Sequence, residues 1–334
     1  MAADPLSDLL RAVRLRGAVF YAFSYGEEWA VQAPAARKIA EAVLPQAEHV
    51  LEYHVITRGS GWASVAGADA PPVKLQTGDI VMFPQGDAHV LASSPEMRPP
   101  PFDPRWMFDT REEPRPIPVV SRSPGVFSHG TPAPELPVHV ACGFLGFDLK
   151  PFNPLLAALP RLLHLPARGA GDWVAQVMRQ AVEASQNQRA GGHAVLERIS
   201  ELMFVDALRR YAENLPEADL GWLAGLRDRY IGRALTLMHE RCAHPWTLEE
   251  LAREVALSRS AFHERFTRYV GQPPMQYLTQ WRMQAAARAL RESHAPVAAV
   301  AREVGYESEA AFTRAFKRAV GTPPAQWRRQ QAGR

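Results

Sequence analysis

Apolar residues recur along this chain with two different periods, and the switches between them divide it. Over residues 5–14, Leu6, Leu9, Leu10 and Val13 fall on one face of a helix. From residue 17 to 91 the pattern shortens into brief apolar or alternating runs broken by Gly, Pro and Asp. Residues 19–21, 51–56, 62–65 and 80–83 carry those runs and are predicted as strands, and residues 138–144 resume the pattern. Several short strands at close spacing predict an all-β barrel or sandwich. Between Pro95 and Pro137 lie 12 of the 29 prolines. Proline removes backbone donors, so this stretch is expected to be a long irregular excursion, either a lid over a barrel mouth or a simple loop.

Residues 151–165 are apolar and punctuated by proline, as a connector would be. Helical spacing then takes over, with Asp172 as a candidate N-cap ahead of Trp173, Val177 and Ala181. Past Gly191 and Gly192, a second helix aligns Val195, Leu196, Ile199, Leu202, Met203 and Leu208 in a wide apolar stripe. Such a stripe is either intradomain core or a dimer seam. Residues 222–226 and 230–239 are predicted to be helical too.

Residues 246–329 contain one unit written twice. Leu251-Ala252-Arg253-Glu254-Val255 returns as Val300-Ala301-Arg302-Glu303-Val304, forty-nine positions on. The offset then becomes fifty: Phe262, Phe266, Arg268, Val270, Gly271, Pro273, Pro274 and Gln276 recur as Phe312, Phe316, Arg318, Val320, Gly321, Pro323, Pro324 and Gln326. Each copy reads as helix, tight turn, helix, a supersecondary unit that has been duplicated. Thr247 and Glu250 form a capping box ahead of the first scaffold helix. Ala256-Leu257 and Gly305 mark the turns, and Ser258 and Ser308 stand before the second helices.

With Phe262 and Phe266 inward, the first second-helix presents Ser260, His263, Glu264 and Thr267 outward. The second copy presents Ala310, Thr313, Arg314 and Lys317. A helix held by its apolar back can place such a polar front in a DNA major groove about 12 Å wide. Arg314 suits guanine, Glu264 suits cytosine, and His263 or Thr313 suits base edges or phosphate. Ser258, Arg259, Ser308 and Glu309 sit at the helix N-termini, where backbone amides face phosphate oxygens. Two such helices entering successive grooves on one DNA face would lie one turn, about 34 Å, apart. The competing reading of the repeat is a protein-interaction module.

Composition narrows the classes. The chain has 334 residues and a net charge of +3, but residues 240–334 hold 15 basic against 9 acidic side chains, leaving 23 against 26 elsewhere. The repeat is thus at +6 and the remainder at −3, which favours a polyanionic partner for the repeat. No apolar run approaches the twenty or so residues a membrane helix needs. The N-terminus lacks a basic-then-apolar export signal, so no membrane association and a cytoplasmic location are expected. Two cysteines, Cys142 and Cys242, suit a reducing compartment.

These motifs carry a resemblance. Val304-Gly305-Tyr306-Glu307-Ser308, Phe312 to Lys317 and Gly321-Thr322-Pro323-Pro324 resemble the DNA-binding domain of the AraC/XylS family of transcription regulators. Leu257 to Phe262 and Gly271-Gln272-Pro273-Pro274 match it in the first unit. The resemblance implies base reading by the outer faces of both second helices, here through Ser260, His263, Glu264, Ala310, Thr313 and Arg314. It also implies promoter DNA and RNA polymerase as partners, and activation rather than repression. Ala310 has no hydrogen-bonding group, so the second helix is expected to read fewer bases.

In the β-rich part, Gly78, Pro84, Gly86 and His89 have the G-x5-P-x-G-x2-H spacing of the second cupin motif. Together with residues 54–62, Cys142-Gly143-Phe144 and Leu159-Pro160, this resembles the cupin-type sensor domain fused to some members of that family. The resemblance implies a small effector or a chemical stress as the signal, and dimerisation. The usual first cupin motif holds two histidines and a glutamate; here, near Glu52 and His54, one plausible inward histidine remains. An enzyme-type metal site is therefore incomplete. His54, His89 and Cys142 form a candidate zinc or other divalent-metal set, since a thiolate and two imidazoles suit that ion. The alternatives are three unrelated residues, or Cys142 as a redox-sensing thiol.

The expected architecture is an α+β multidomain chain. Residues 1–165 form a cupin-like β-barrel sensor, residues 166–240 a helical linker or dimerisation region, and residues 241–334 an all-α tandem helix-turn-helix domain. The expected function is a sequence-specific DNA-binding regulator with no catalytic residues. The competing class is a metal-dependent cupin enzyme with an accessory helical interaction domain.

Overall fold

The computed structural model describes residues 4–13, 15–100, 116–169, 173–186, 191–216 and 219–332. The core of the expected proline-rich excursion, residues 101–115, and the N-cap candidate Asp172 lie outside the described residues. The strands are Leu15–Tyr25 (β1), Ala30–Ala33 (β2), His49–Arg58 (β3), Ser60–Val65 (β4), Val73–Gln76 (β5), Ile80–Phe83 (β6), His89–Ala92 (β7), Ile117–Ser123 (β8), Val126–His129 (β9), Val138–Phe147 (β10) and Leu163–Leu165 (β11). The helices are Pro5–Ala12 (α1), Ala40–Val43 (α2), Trp173–Gln186 (α3), Gly192–Asn214 (α4), Trp222–Arg227 (α5), Arg229–Glu240 (α6), Leu248–Glu254 (α7), Arg259–Val270 (α8), Pro274–Glu292 (α9), Val297–Glu303 (α10), Glu309–Val320 (α11) and Pro324–Ala332 (α12).

The chain forms two compact units, and their boundaries cut across the expected ones. One unit comprises Leu15–Phe147 and Leu159–Glu213; the other comprises Met1–Arg14, Asp148–Ala158 and Asn214–Arg334. Residues 166–240 are therefore not one linker: α3 and nearly all of α4 belong to the β-rich unit, while α5 and α6 belong to the helical one. Likewise α1 belongs to the helical unit rather than to the sensor.

In the β-rich unit a seven-stranded sheet, ordered β11-β6-β3-β10-β1-β8-β9, accompanies a four-stranded sheet ordered β2-β7-β4-β5. All pairings are antiparallel except β1 with β8. Inward residues of both sheets share one core, including Tyr21, Tyr25, Ile56, Val65, Leu91 and Phe144, so the sheets close on each other as a barrel. Each fully buried Val, Leu, Ile or Phe of that core contributes about 1.5–3 kcal/mol. Strand β3 is buried on both faces. Its odd-numbered side turns outward, where the Tyr53 hydroxyl meets Ser200 Oγ of α4 at 2.5 Å. Leu196, Ile199, Met203 and Leu208 are buried, so most of the α4 stripe is intradomain core. Val195 and Leu202 stay about half exposed (51% and 49%) on the other side of that helix.

In the helical unit, Phe262, Phe266, Tyr277, Leu278 and Trp281 are buried beneath the first repeat. A matching cluster of Leu290, Val300, Val304, Phe312, Phe316 and Trp327 fills the second. Helix α9 serves both, packing against α8 on one side and α10, α11 and α12 on the other. Both second helices end on a left-handed glycine, Gly271 (φ 78°) and Gly321 (φ 92°). A side chain at such a φ would strain the cap, so glycine is favoured at both ends.

Candidate functional site

The reading helices are built the same way twice. Ser258 caps α8 by accepting from the Ala261 amide, and Ser308 caps α11 by accepting from the Ala311 amide. That leaves the first amides of each helix at its exposed, positive end, as phosphate binding requires. Before α7, Thr247 accepts from the Glu250 amide as the capping box predicts, and the Glu250 carboxylate is engaged by His244 Nε2 at 2.8 Å. The two turns close identically: Leu257 N donates to Ala252 O, and Tyr306 N to Ala301 O. The extra residue of the second copy falls at Glu307, before the Ser308 cap.

Most of the candidate reading residues are on the open face. Ser258, Arg259, Ser260, His263, Glu264, Ser308, Glu309, Ala310, Arg314 and Lys317 are exposed, and Thr313 is half-buried. Arg259 pairs with Glu249 at 3.0 Å, but both are exposed, and such a pair contributes about 0–1 kcal/mol. A phosphate can displace it. Thr267 departs from the expected outward face: it is half-buried and its Oγ1 is enclosed by the protein. Its position one turn beyond His263 and Glu264 rotates it toward the core flank of α8.

A feature not foreseen from sequence anchors α8. Asp228 caps α6 by accepting from the Tyr230 and Ile231 amides, and its carboxylate also takes a forked hydrogen bond from Arg265 on the flank of α8. Burial alone would raise the Asp228 pKa, but the Arg265 guanidinium and the two amides outweigh it and hold it below its usual value.

Within the barrel, Glu52 and His54 sit two residues apart on β3, so both point inward. His89 opens β7, in the other sheet. The three are buried (6%, 3% and 0% exposed), and their donor atoms lie within 4.8 Å of one another. His54 Nε2 is 2.7 Å from His89 Nε2. Glu52 Oε1 is 3.9 Å from His54 Nε2, and Glu52 Oε2 is 3.9 Å from His89 Nε2. On its far side, His54 Nδ1 meets Cys142 Sγ at 2.7 Å, because Cys142 stands directly opposite His54 in the β3–β10 register. His89 Nδ1 faces the Asp87 carbonyl at 2.9 Å, and its ring stacks on Phe83.

Burial sets the protonation of this cluster. It lifts the Glu52 pKa to about 8 and pushes His89 down to about 4. Burial, with repulsion from His89, lowers His54 as well, and burial raises the Cys142 thiol. A buried thiol whose pKa is raised is a poor nucleophile, which argues against Cys142 as an exposed redox thiol.

The expected ligand set of His54, His89 and Cys142 is not what the geometry assembles. Cys142 and His89 touch opposite nitrogens of His54, and one imidazole cannot offer both to a single ion. Glu52 takes the third place instead. Sequence pattern held the signal: Glu-x-His on a strand puts both side chains on one face.

Comparison with known proteins agrees with both halves. A family model described as cupin matches residues 4–213, and one described as helix-turn-helix domain matches residues 251–330. A putative AraC-like transcription regulator of Streptomyces lividans is 33% identical over 98% of this chain and 98% of its own length. Another from Streptomyces antibioticus is 34% identical, again over 98% of both chains. The chain belongs to the AraC-like family of transcription regulators. The HTH-type transcriptional regulator AlkR of Acinetobacter baylyi is 27% identical over 85% of this chain and 89% of its own length.

The chain is thus a DNA-binding transcription regulator with a cupin-like sensor domain, not a cupin enzyme. Among the described residues, no helix is long and apolar enough to cross a membrane. Arg314 is the side chain on α11 best suited to bidentate pairing with guanine. Its replacement by alanine is expected to cost about 1–3 kcal/mol of operator affinity and to relax the preference at one base pair. Fluorescence anisotropy on operators varied base by base reads this; equal affinity and equal selectivity would remove Arg314 from the interface.

Proposed function

We propose that this regulator acts in the cytoplasm as a homodimer, activating transcription from promoter DNA through RNA polymerase when a small effector or chemical stress alters the barrel. The observation that carries the DNA-binding part is the pair of recognition helices α8 and α11. Each is fixed by a buried phenylalanine pair and presents an exposed polar front. The half-exposed Val195 and Leu202, one heptad apart on α4, support self-association.

The helical unit also supplies a route for the signal. Gln284 of α9, buried at 2% exposure, donates from Nε2 to the Ala12 carbonyl and accepts the Phe152 amide on Oε1. Seven residues on, Arg291 reaches the same Ala12 carbonyl and pairs with Asp148 at 3.5 Å. Ala12 lies three residues before β1, and Asp148 follows β10 directly. β1 and β10 are paired neighbours in the barrel sheet, Leu15 opposite Phe147. One helix, the one joining the two reading heads, therefore holds both chain segments that run into adjacent barrel strands. A change in those strands reaches DNA only by favouring one arrangement of the helical unit over another.

Footprinting on promoter fragments, with and without candidate inducers, tests the reading, and Gln284→Leu tests the route. The leucine removes both hydrogen bonds and strands the Ala12 carbonyl and Phe152 amide, a cost of about 1–3 kcal/mol per unsatisfied group. The expected variant still footprints the operator but shows an inducer response reduced at least about fivefold, the low end of ordinary coupling energies. A response equal to wild type would dismiss the route, and a chain giving no protected region on any promoter fragment would dismiss the regulator reading.

A further inference from the structure

We propose that Glu52, His54 and His89 bind one first-row divalent cation of the zinc type between the two sheets of the barrel, with Cys142 acting as the outer partner of His54 rather than as a ligand. Four observations carry this. The donor atoms of three side chains converge to within 4.8 Å in a buried site. Glu52 Oε2 is buried there with no hydrogen-bond partner, which is costly for a polar oxygen unless something else meets it.

The histidine hydrogen bonds supply the third. The Asp87 carbonyl accepts from His89 Nδ1, so His89 Nε2 presents a lone pair toward His54. If Cys142 donates its S–H to His54 Nδ1, then His54 Nε2–H donates to His89 and the pair is a plain hydrogen bond. If His54 Nδ1–H donates to Cys142 Sγ, the two Nε2 lone pairs face each other, and only a cation between them makes that arrangement favourable. The site is built for either state, and the thiol opposite His54 selects between them. Both imidazoles then have an outer hydrogen-bond acceptor, the usual arrangement behind metal-bound histidine.

The fourth is dimensional. A tetrahedral ion with bonds of about 2.0–2.1 Å holds its nitrogens about 3.3 Å apart. The 2.7 Å His54–His89 gap must open, and the two 3.9 Å carboxylate gaps must close, each by roughly half an ångström at bond lengths of this kind. Side-chain adjustment alone achieves this. Two nitrogens and one carboxylate oxygen suit zinc, cobalt, iron or manganese rather than calcium or magnesium. Because Glu52 and His54 come from one sheet and His89 from the other, the ion would staple them together.

The test uses the full chain stripped by a chelator and dialysed against cobalt(II), whose spectrum reports its ligands. The expected result is one ion per chain, displaced by zinc, with visible bands of an oxygen–nitrogen site and no near-ultraviolet thiolate-to-cobalt band. Glu52→Gln and His89→Gln, checked as folded by circular dichroism, should bind none. Cys142→Ser should still bind one ion, with affinity lowered about 10–100-fold as for other outer partners. No uptake by the wild-type chain overturns the proposal. So does a thiolate band that Cys142→Ser abolishes, or undiminished uptake by Glu52→Gln. Metal uptake is measured without DNA, so this result and the operator footprint fail independently.

Discussion

Gly305→Ala is expected to destabilise the helical unit by about 2–5 kcal/mol and to weaken operator binding in proportion. Gly305 closes the turn of the second helix-turn-helix at φ 82°. A side chain in the left-handed region costs about 1–2 kcal/mol. A Cβ here would also lie 2.6 Å from the Ala243 carbonyl oxygen and 2.9 Å from its Cα, backbone atoms that cannot swing aside. Forcing them apart adds about 1–3 kcal/mol. The first unit provides the control. Ala256 occupies the matching position at φ 56°, the sole non-glycine positive φ among the described residues, and it is exposed. Ala256→Gly relieves that strain but loosens the unfolded chain, so a net change under about 1 kcal/mol is expected. Urea unfolding of both variants decides the matter. A loss below about 0.5 kcal/mol for Gly305→Ala, within the range of neutral surface changes, would mean the turn accommodates a side chain.

The second large effect is at Asp228. Its carboxylate caps α6 and holds Arg265 of α8, so Asp228→Ala loses a helix cap, about 0.5–2 kcal/mol, together with the forked ion pair. Arg265 is 42% exposed, which discounts the ionic part, and a total of about 2–3 kcal/mol is expected. The groups facing the carboxylate are the Arg265 guanidinium and the amides of Tyr230 and Ile231, all of which favour its charged form. Its folded pKa is therefore lower than its unfolded one, near 3.8. That stabilisation is fully present above the unfolded value and disappears as pH falls through the folded one. The difference between wild type and Asp228→Ala should accordingly be full at pH 7 and shrink below about pH 4. A difference equally large at pH 3 and pH 7 would show that the charge plays no part and that Asp228 acts by packing alone.

Much of the exposed front of the two second helices was legible because it is periodic and local. A helix fixes which residues share a face, so knowing that Phe262 and Phe266 are buried already points Ser260, His263 and Glu264 outward. The same rule misplaced Thr267, which sits near the edge of that face, where neighbouring helices decide exposure. Strands with strong apolar runs, such as β3, β6 and β10, were legible too. Strands β2, β5 and β9 were not: β6 is no longer, but its four residues are all apolar, whereas these three mix apolar with polar side chains and are held by the strand beside them. Two of the barrel trio were legible, His89 from its motif and His54 beside it, while Glu52 carries no motif signal although it shares a face with His54.

Sequence alone determined the duplicated helix-turn-helix, its caps and turns, and the β-rich sensor ahead of it, because each rests on spacing between near neighbours. Only the tertiary structure decided that α1 and residues 148–158 join the helical unit through Gln284 and Arg291, that Asp228 ties α6 to α8, and that Glu52 rather than Cys142 faces both histidines. Apart from the Glu52–His54 pair, those meetings join residues from 37 to more than 270 positions apart. Local periodicity fixes the direction in which a side chain points, and only the packing of distant segments fixes what it meets.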